Sequence, residues 1–557
     1  MRKWLTLSPG YYPIDLRFRN DIGPSHFHLR MARDSADALA IVDGSRSATY
    51  AQLVERVDRL AANLADLGLR SRERAVFQLG NSIEFVYAFF ALMRIGVIPV
   101  MALPAHRRAE VRRFAEHARA VAYLIPDGAN GFDYRALARE IRDEAPSLRL
   151  TIGAGDGGEG VVGLRELLSA PASETTLARL RASPACGPDD VALMMLSGGT
   201  TGLPKFIPRT HDDYVYNCKQ SGAVAGFGPD TVYLALLPMA HGYTLASPGI
   251  LATLAHGGRV VVASDVRAEA VFPLIEKEAV TVVCGGVPLA VNWLASEWPE
   301  RCDLSSLRVY MNGGARLLPE LRRQVEARFG CTYVESYGTG EGLLNQTRLD
   351  DPEEIRFNSS GRPVSEADEL RVIDDEGKDV PDGCVGELVV RGPYTFRGYY
   401  NAPEATAAAF TPDGFYRMGD AVRKVDGYVY VEGRIKDLIN RGGEKVSSEE
   451  VENHLIAHPS VRNVSVVAMP DPVYGERACA FVIPRDGASL DFESMKAFLI
   501  GRGIAKFKLP ERLELVESFP LSPAGKILRR ELRAIIAAKL EAERDTTSGV
   551  GRSPKPP

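Results

Sequence analysis

Between about residues 75 and 440, short apolar runs rich in β-formers alternate with segments whose apolar residues recur at helical spacing. RAVFQLG, RVVVAS, TVVCGG and RVYMNGG read as strands, whereas PELRRQVEARFG shows one apolar helix face and stops at Gly330. This alternation predicts an α/β fold with largely parallel sheets. Ligands of such sheets gather beyond the carboxyl ends of the strands. The glycine-rich stretches fall at such places: after VALMML, after RVYM and at SYGTGEG.

Near residue 381 the pattern changes. PDGCVGELVVRGPYTFRGYY and GFYRMGDAVRKVDGYVYVEGR alternate, carry many aromatics and are interrupted by turns, with Asp426-Gly427 a strong hairpin signal. Ser447 and Glu450 fit a capping box that opens a helix ending before Pro459. The following hundred or so residues alternate strand and helix signals, enough for one small domain. RDTTSGVGRSPKPP reads as a disordered tail.

Length agrees with this division, because 557 residues exceed a single core. Lys and Arg number 67 against 72 Asp and Glu, a net charge of −5, which leaves no basic footprint for a nucleic-acid partner. The apolar runs are too short to span a bilayer, and the N-terminus lacks the apolar stretch of a signal peptide. A cytoplasmic location away from membranes is expected. The seven cysteines are scattered and form no C-x-x-C, which reads as reduced thiols rather than staples or a zinc site. His454 and His458 have metal-like spacing but no third ligand nearby, and they read as solvated.

The stretch LSGGTTGLPK, Leu196 to Lys205, carries the first candidate chemistry. It fails the P-loop pattern, since Phe206 stands where a Ser or Thr would hold magnesium. Its backbone N–H groups, the Thr200 and Thr201 hydroxyls and the Lys205 ammonium could still cradle phosphates. A tight connection between elements explains the stretch equally well.

Further motifs follow in order: YGTGEG (337–342), GELVVRGP (386–393), YRMGD (416–420), GRIKDLINRGGEKV (433–446) and PAGKI (523–527). Together with SGGTTGLPK this set resembles the ANL superfamily of adenylate-forming enzymes, over nearly the whole chain. LPMAHGYTLASPG, NRGGEKVSSEEVENHLIAHP and LDDPEE are similar to the stand-alone aryl-acid adenylating enzymes of siderophore and nonribosomal peptide synthesis. The resemblance implies a large N-terminal domain (1–435) of two α/β subdomains plus a distorted β-barrel. It also implies a small mobile α+β C-terminal domain (436–543), followed by the tail (544–557).

By the same resemblance, ATP and Mg²⁺ are the cofactors. Ser197, Gly198, Gly199, Thr200, Thr201, Gly202 and Lys205 would hold the β- and γ-phosphates, and Lys526 would be the catalytic lysine between carboxylate and α-phosphate. Glu341 would ligate the metal, and Asp420 and Arg434 would take the ribose. Gly313, Gly314, Ala315 and Tyr337 would flank the adenine, with Gly338, Thr339 and Val431 completing the nucleotide site. Lys436 and Asp437 would form the hinge on which the small domain rotates, presenting Gly443 and Lys445 for thiol transfer. His241, Gly242, Tyr243, Ser247, Gly314, Ser336 and Leu344 would line the acid pocket.

The pocket also departs from the resemblance. Relatives usually carry Asn, which bonds an ortho hydroxyl, where this chain has Gly242. Ser336 stands for a common Val, and YGTGEG replaces FGMAEG. Loss of a polar contact changes which acid is preferred, so the expected substrate is an aromatic carboxylic acid bulkier than salicylate or substituted differently. Candidates are hydroxyanthranilate-type, ring-methylated or bicyclic acids, with plain salicylate, a water standing in for the Asn amide, as the alternative. The expected acceptor is the phosphopantetheine thiol of a separate carrier protein, with coenzyme A the alternative. A catalytically silent acyl-adenylate-binding protein is the reading from another class.

Overall fold

The computed structural model describes residues 36–549 apart from 129–130, 183–184, 198–203, 442–443 and 522–526. The described residues up to Arg371, with Val389–Arg417 and Gly427–Val429, make one compact unit. Val372–Leu388, Met418–Asp426 and the described residues from Tyr430 onward make a smaller second one. The α/β class and the larger N-terminal and smaller C-terminal parts hold as expected.

Two sheets organise the first unit. One runs in the spatial order Val162–Gly163, Leu150–Gly153, Ala122–Ile125, Arg74–Phe77, Ile98–Met101, Val191–Leu196, Phe206–Thr210. The other runs Arg362–Pro363, Gly342–Gln346, Thr332–Thr339, Val309–Gly313, Val282–Gly285, Val232–Ala235, Arg259–Val262, Leu39–Asp43, Arg46–Thr49. Their inner strands pair in parallel and are apolar on both faces, because helices cover both sides. Antiparallel strands close both edges of the second sheet and one edge of the first, whose other edge, Val162–Gly163, pairs in parallel.

Local sequence explains the helices. Thr49 and Gln52 form a capping box that opens Tyr50–Asp66, whose buried stripe includes Leu53, Val57, Leu60 and Leu64. Thr210 and Asp213 do the same for His211–Val224. Pro319–Phe329 ends at Gly330 in the left-handed region (φ +67°), the conformation a helix C-terminus prefers for glycine.

The second unit carries its own sheet, ordered Glu444–Val446, Ile439–Arg441, Gly475–Pro484, Val461–Asp471, with Arg512–Leu515 parallel to Gly475–Pro484. Ser447 caps the helix Ser448–Leu455 by accepting from the Glu450 N–H (3.1 Å). The reciprocal half of the expected capping box does not form, because the Glu450 carboxylate takes the Lys508 ammonium at 2.6 Å instead. The last helix, Arg529–Gly549, continues into the stretch expected to be an unstructured tail; residues 550–557 lie outside the described residues. The β-rich region forms a four-stranded sheet, Glu369–Ile373, Val385–Arg391, Tyr416–Val425, Tyr428–Arg434. Asp426 (φ +50°) and Gly427 (φ +80°) make the expected tight turn. No helix among the described residues is long and apolar enough to cross a membrane.

One face of the larger sheet packs Tyr310 and Tyr333 against Phe272, Trp293 and Phe329, with ring centroids 5.4–6.4 Å apart. A charged group lies inside this wall. Arg322 is wholly buried and donates to the carbonyls of Leu317 (2.7 Å), Arg356 (3.0 Å) and Ser359 (2.9 Å), with Glu335 3.3 Å away. Burial pushes the Glu335 carboxyl up, and the guanidinium opposes that shift. Removing one partner of such a pair strands the other charge. Arg322→Met is therefore expected to cost about 3–5 kcal/mol, read as a lower urea midpoint in tryptophan fluorescence. Adding Glu335→Gln should recover part of the loss.

Candidate active site

The glycine-rich loop joins two antiparallel strands, Val191–Leu196 and Phe206–Thr210, rather than a strand and a helix. The next helix starts only at His211. Its base is closed by Ser197: the Ser197 N–H donates to the Lys205 carbonyl (2.9 Å), and the Lys205 N–H donates to Ser197 Oγ (2.9 Å). The two ends of the loop are thus pinned to each other. Gly198, Gly199, Thr200, Thr201 and Gly202 lie outside the described residues.

Lys205 and Glu341 meet at Tyr399. The Lys205 ammonium sits 4.6 Å from the Tyr399 ring centroid, and the Tyr399 hydroxyl donates to Glu341 Oε1 (3.0 Å). Burial and the adjacent Glu341 charge push the Tyr399 hydroxyl well above its usual value, so it remains a donor. Arg209 holds this corner. Its buried guanidinium pairs with Asp213 (2.9 Å) and donates to the carbonyls of Gly340 (2.8 Å) and Tyr394 (3.0 Å). Gly342 (φ +127°) lies so close to Thr395 that a Cβ would sit 2.6 Å from its Cα. Thr339 Oγ1 closes the turn on the Gly342 carbonyl (2.9 Å).

Gly313, Gly314 and Ala315 form a turn at the carboxyl end of Val309–Gly313. Asn312 Nδ2 clips it by donating to the Ala315 carbonyl (2.7 Å) and to Glu335 (3.2 Å). Gly314 takes φ +84°. Gly313 pairs in register with Ser336, and Ser336 with Gln346. Side chains alternate along strands, so Gly313, Ser336, Leu344 and Gln346 share one face, and Asn312, Glu335, Tyr337 and Asn345 share the other.

Tyr243 covers the first face. A Cβ on Gly313 would fall 2.7 Å from two of its ring carbons, so the ring lies directly on the glycine. Tyr243 belongs to the short helix Gly242–Ala246, capped by His241 Nδ1, which accepts from the Tyr243 N–H (3.3 Å). Ser247 follows, its N–H on the Tyr243 carbonyl (3.2 Å). At Gly242 a Cβ would stand 3.2 Å from the Met195 methyl and 3.9 Å from the Tyr214 hydroxyl. The space left by the missing side chain is thus bordered by a methyl group. Ser336 Oγ and both amide atoms of Gln346 are buried without a hydrogen-bond partner. Asn345, opposite Tyr337, is in the same state on the other face.

The family model for AMP-binding enzymes matches residues 28–400, and the model for the AMP-binding enzyme C-terminal domain matches residues 450–526. The chain belongs to the AMP-binding enzyme family. It is 51% identical over 507 residues to a 2,3-dihydroxybenzoate-AMP ligase of Bacillus subtilis (strain 168), covering 91% of this chain and 92% of that protein. It is 44% identical over 510 residues to a 2-hydroxy-7-methoxy-5-methyl-1-naphthoate–CoA ligase of Streptomyces carzinostaticus, covering 90% and 91%. Among solved structures, the anthranilate CoA ligase AuaEII in complex with anthranoyl-AMP superposes with a TM-score of 0.82 at 25% identity, covering 95% of this chain and 99% of that one.

In the second unit, Asp420 is buried and pairs with Arg434 at 2.8 Å, and Arg434 Nη1 also donates to the Met418 carbonyl (3.2 Å). Val431 is buried on the strand that leads to Arg434. The expected hinge residue Asp437 accepts from Arg533 (2.8 Å), and its carbonyl accepts from Ser448 Oγ (3.0 Å). Lys445 lies on the strand Glu444–Val446, opposite Asn440. The side chains of Lys436 and Lys445, together with Gly443 and Lys526, lie outside the described residues.

Sequence reading missed Arg209, Asn312, Glu335, Gln346 and Tyr399. Only the i,i+4 spacing of Arg209 and Asp213 carried a local signal; the others reach the site through strand register or chain return. The contact of Tyr243 with Gly313 is directly testable. Gly313→Ala should displace the Tyr243 ring and raise KM for the acid about ten-fold or more, since overpacking a closed site is costly. Initial-rate kinetics with the acid varied would show the rise.

Proposed function

We propose that this chain activates an aromatic carboxylic acid with ATP, forming aryl-AMP and pyrophosphate, and then passes the aryl group to the phosphopantetheine thiol of a separate carrier protein. The observations that support this reading are the Tyr243 ring lying on Gly313 at the end of its strand, and Lys205 and Glu341 meeting at Tyr399. The relatives' names support it, since both include an aryl acid.

The chemistry follows from charge. A carboxylate is a poor electrophile, and its oxygen must approach a triphosphate that repels it. The carboxylate oxygen attacks the α-phosphorus, the bond to the bridging oxygen breaks, and pyrophosphate leaves with that electron pair. The protein contributes mostly positioning and charge neutralisation. Lys205 and the clasp of the glycine-rich loop take the departing phosphates. Lys526 neutralises the α-phosphate and the attacking carboxylate. Asp420 and Arg434 hold the ribose, and the turn Gly313–Ala315 with Tyr337 holds the adenine. In the second step a thiolate adds to the acyl carbon and AMP departs, with Lys445 on the face presented after rotation about Lys436 and Asp437.

Among the described residues no group of three or more acidic, His or Cys side chains could hold a metal ion by itself. Glu341 is a single buried carboxylate, which fits Mg²⁺ shared with substrate phosphates, the usual arrangement for this ion. When bound, the ion would neutralise phosphate charge. Glu341 is kept in place by Tyr399 and by the Phe396 N–H, which donates to its carbonyl (2.6 Å).

ATP–pyrophosphate exchange tests the reading. We expect exchange with an aromatic acid, absent with fatty acids, and a fall of at least about a hundred-fold in Lys526→Ala, the scale on which a buried charge stabiliser acts. Exchange with no aromatic acid would overturn it. A second expectation concerns Gly242. Gly242→Asn should shift preference about ten-fold toward salicylate and 2,3-dihydroxybenzoate, by restoring an amide that bonds the ortho hydroxyl. Competition between salicylate and bulkier acids would read this shift.

A further inference from the structure

We propose that Gln346, together with Ser336, reads a hydrogen-bonding substituent on the ring of the aromatic acid, so that the preferred acid carries its polar group over the strands 332–339 and 342–346 and not toward Gly242. This rests on the aryl-acid reading above, and it adds a residue to the acid site as well as a chemical class for the acid.

Gln346 is fully buried and Ser336 is 5% exposed. Both atoms of the Gln346 amide and the Ser336 hydroxyl lack a partner. Native interiors rarely leave such atoms unpaired, and an unmet ligand is one of the few reasons to do so. The two residues face each other directly in the antiparallel register, within reach of one another, yet they do not bond each other. Their common face is the one that Tyr243 covers at the neighbouring Gly313. The unpaired groups of Ser336 and Gln346 therefore share the strand face on which the acid is proposed to lie.

The backbone of Gln346 is held while its amide remains free to bond. Gly361 backs onto it so closely that a Cβ there would lie 2.2 Å from the Gln346 carbonyl carbon, and Arg348 donates to its carbonyl (2.5 Å). The wall at Gly242 is different. It presents the Met195 methyl, and the Tyr214 hydroxyl there is directed at the Met195 sulfur (3.8 Å). Polarity has moved from the short helix to the floor of the slot. An amide offers a donor and an acceptor, and a hydroxyl can serve as either. That pair suits a ring hydroxyl, a ring amino group or a ring nitrogen, and it rejects an unsubstituted or purely alkylated ring.

The test is kcat/KM in pyrophosphate exchange for benzoate, its hydroxy and amino derivatives, a methylbenzoate and a quinoline carboxylate, in wild type, Gln346→Leu and Ser336→Ala. We expect wild type to favour a polar-substituted acid over benzoate and methylbenzoate by about ten-fold or more, and each variant to shrink that ratio about ten-fold, as loss of a bond to a buried polar site does. Ser336→Ala removes a single oxygen and serves if Gln346→Leu folds poorly. A wild type that prefers the unsubstituted or methylated ring would overturn the proposal, and so would variants that lower all acids equally. If wild type exchanges with no acid, the adenylation reading falls by itself. Calorimetric binding of the same acids then decides the assignment: the same loss of ratio in the variants upholds it, and an unchanged ratio overturns it.

Discussion

The candidate site depends on a buried charge that never touches it. Arg322 lies beneath the carboxyl ends of the central strands, where it gathers three backbone carbonyls and the Glu335 carboxylate. Glu335 in turn accepts from Asn312, and Asn312 clips the turn that ends at Ala315. Burying such charges is costly, and it succeeds only because almost every donor is met. The effect is a rigid floor. The opposite face of the same strands then presents Gly313, Ser336 and Gln346 at fixed spacing.

A similar arrangement governs the corner that holds Glu341. Arg209 spends its guanidinium on Asp213 and on two carbonyls, so the turn around Gly340 cannot drift from Tyr394. Tyr399 then bridges the end of the glycine-rich loop to Glu341. Two buried arginines thus hold turns of the proposed site, while other charged groups, Lys205 and Glu341, are the ones proposed to meet the substrate. This division of labour is what electrostatic preorganisation requires: the charges that meet the reactant must be held by others that do not.

The proposed acid site shows how a small change redistributes polarity. Where an amide is expected there is Gly242, bordered by the Met195 methyl. Unpartnered polar atoms accumulate instead on the strand floor, at Ser336 and Gln346. The two differences belong together, since a slot that lost polarity on one wall without gaining it on another would read only shape. Discrimination among aryl acids by shape alone is weak, whereas unmet buried polar atoms penalise a ring that cannot bond them.

Much of this was legible from the chain alone. Apolar periodicity was enough for the α/β class, the Gly330 helix end and the Asp426-Gly427 turn, because these depend on neighbours within a few residues. Ordered motifs carried the family resemblance and pointed to Gly313, Glu341, Tyr243 and the Asp420–Arg434 pair. Other features had no local signal. Gln346 reads as one more strand residue until register places it beside Ser336, and Tyr399 lies 58 residues from the carboxylate it bonds. The glycine-rich loop follows a strand as expected, but pairing made it a clasp between antiparallel strands. The chain determines which residues can carry charge, turn or bury themselves. Which of them meet was decided only by strand register and chain return, since hydrogen bonding between distant segments leaves no trace in the order of residues along either one.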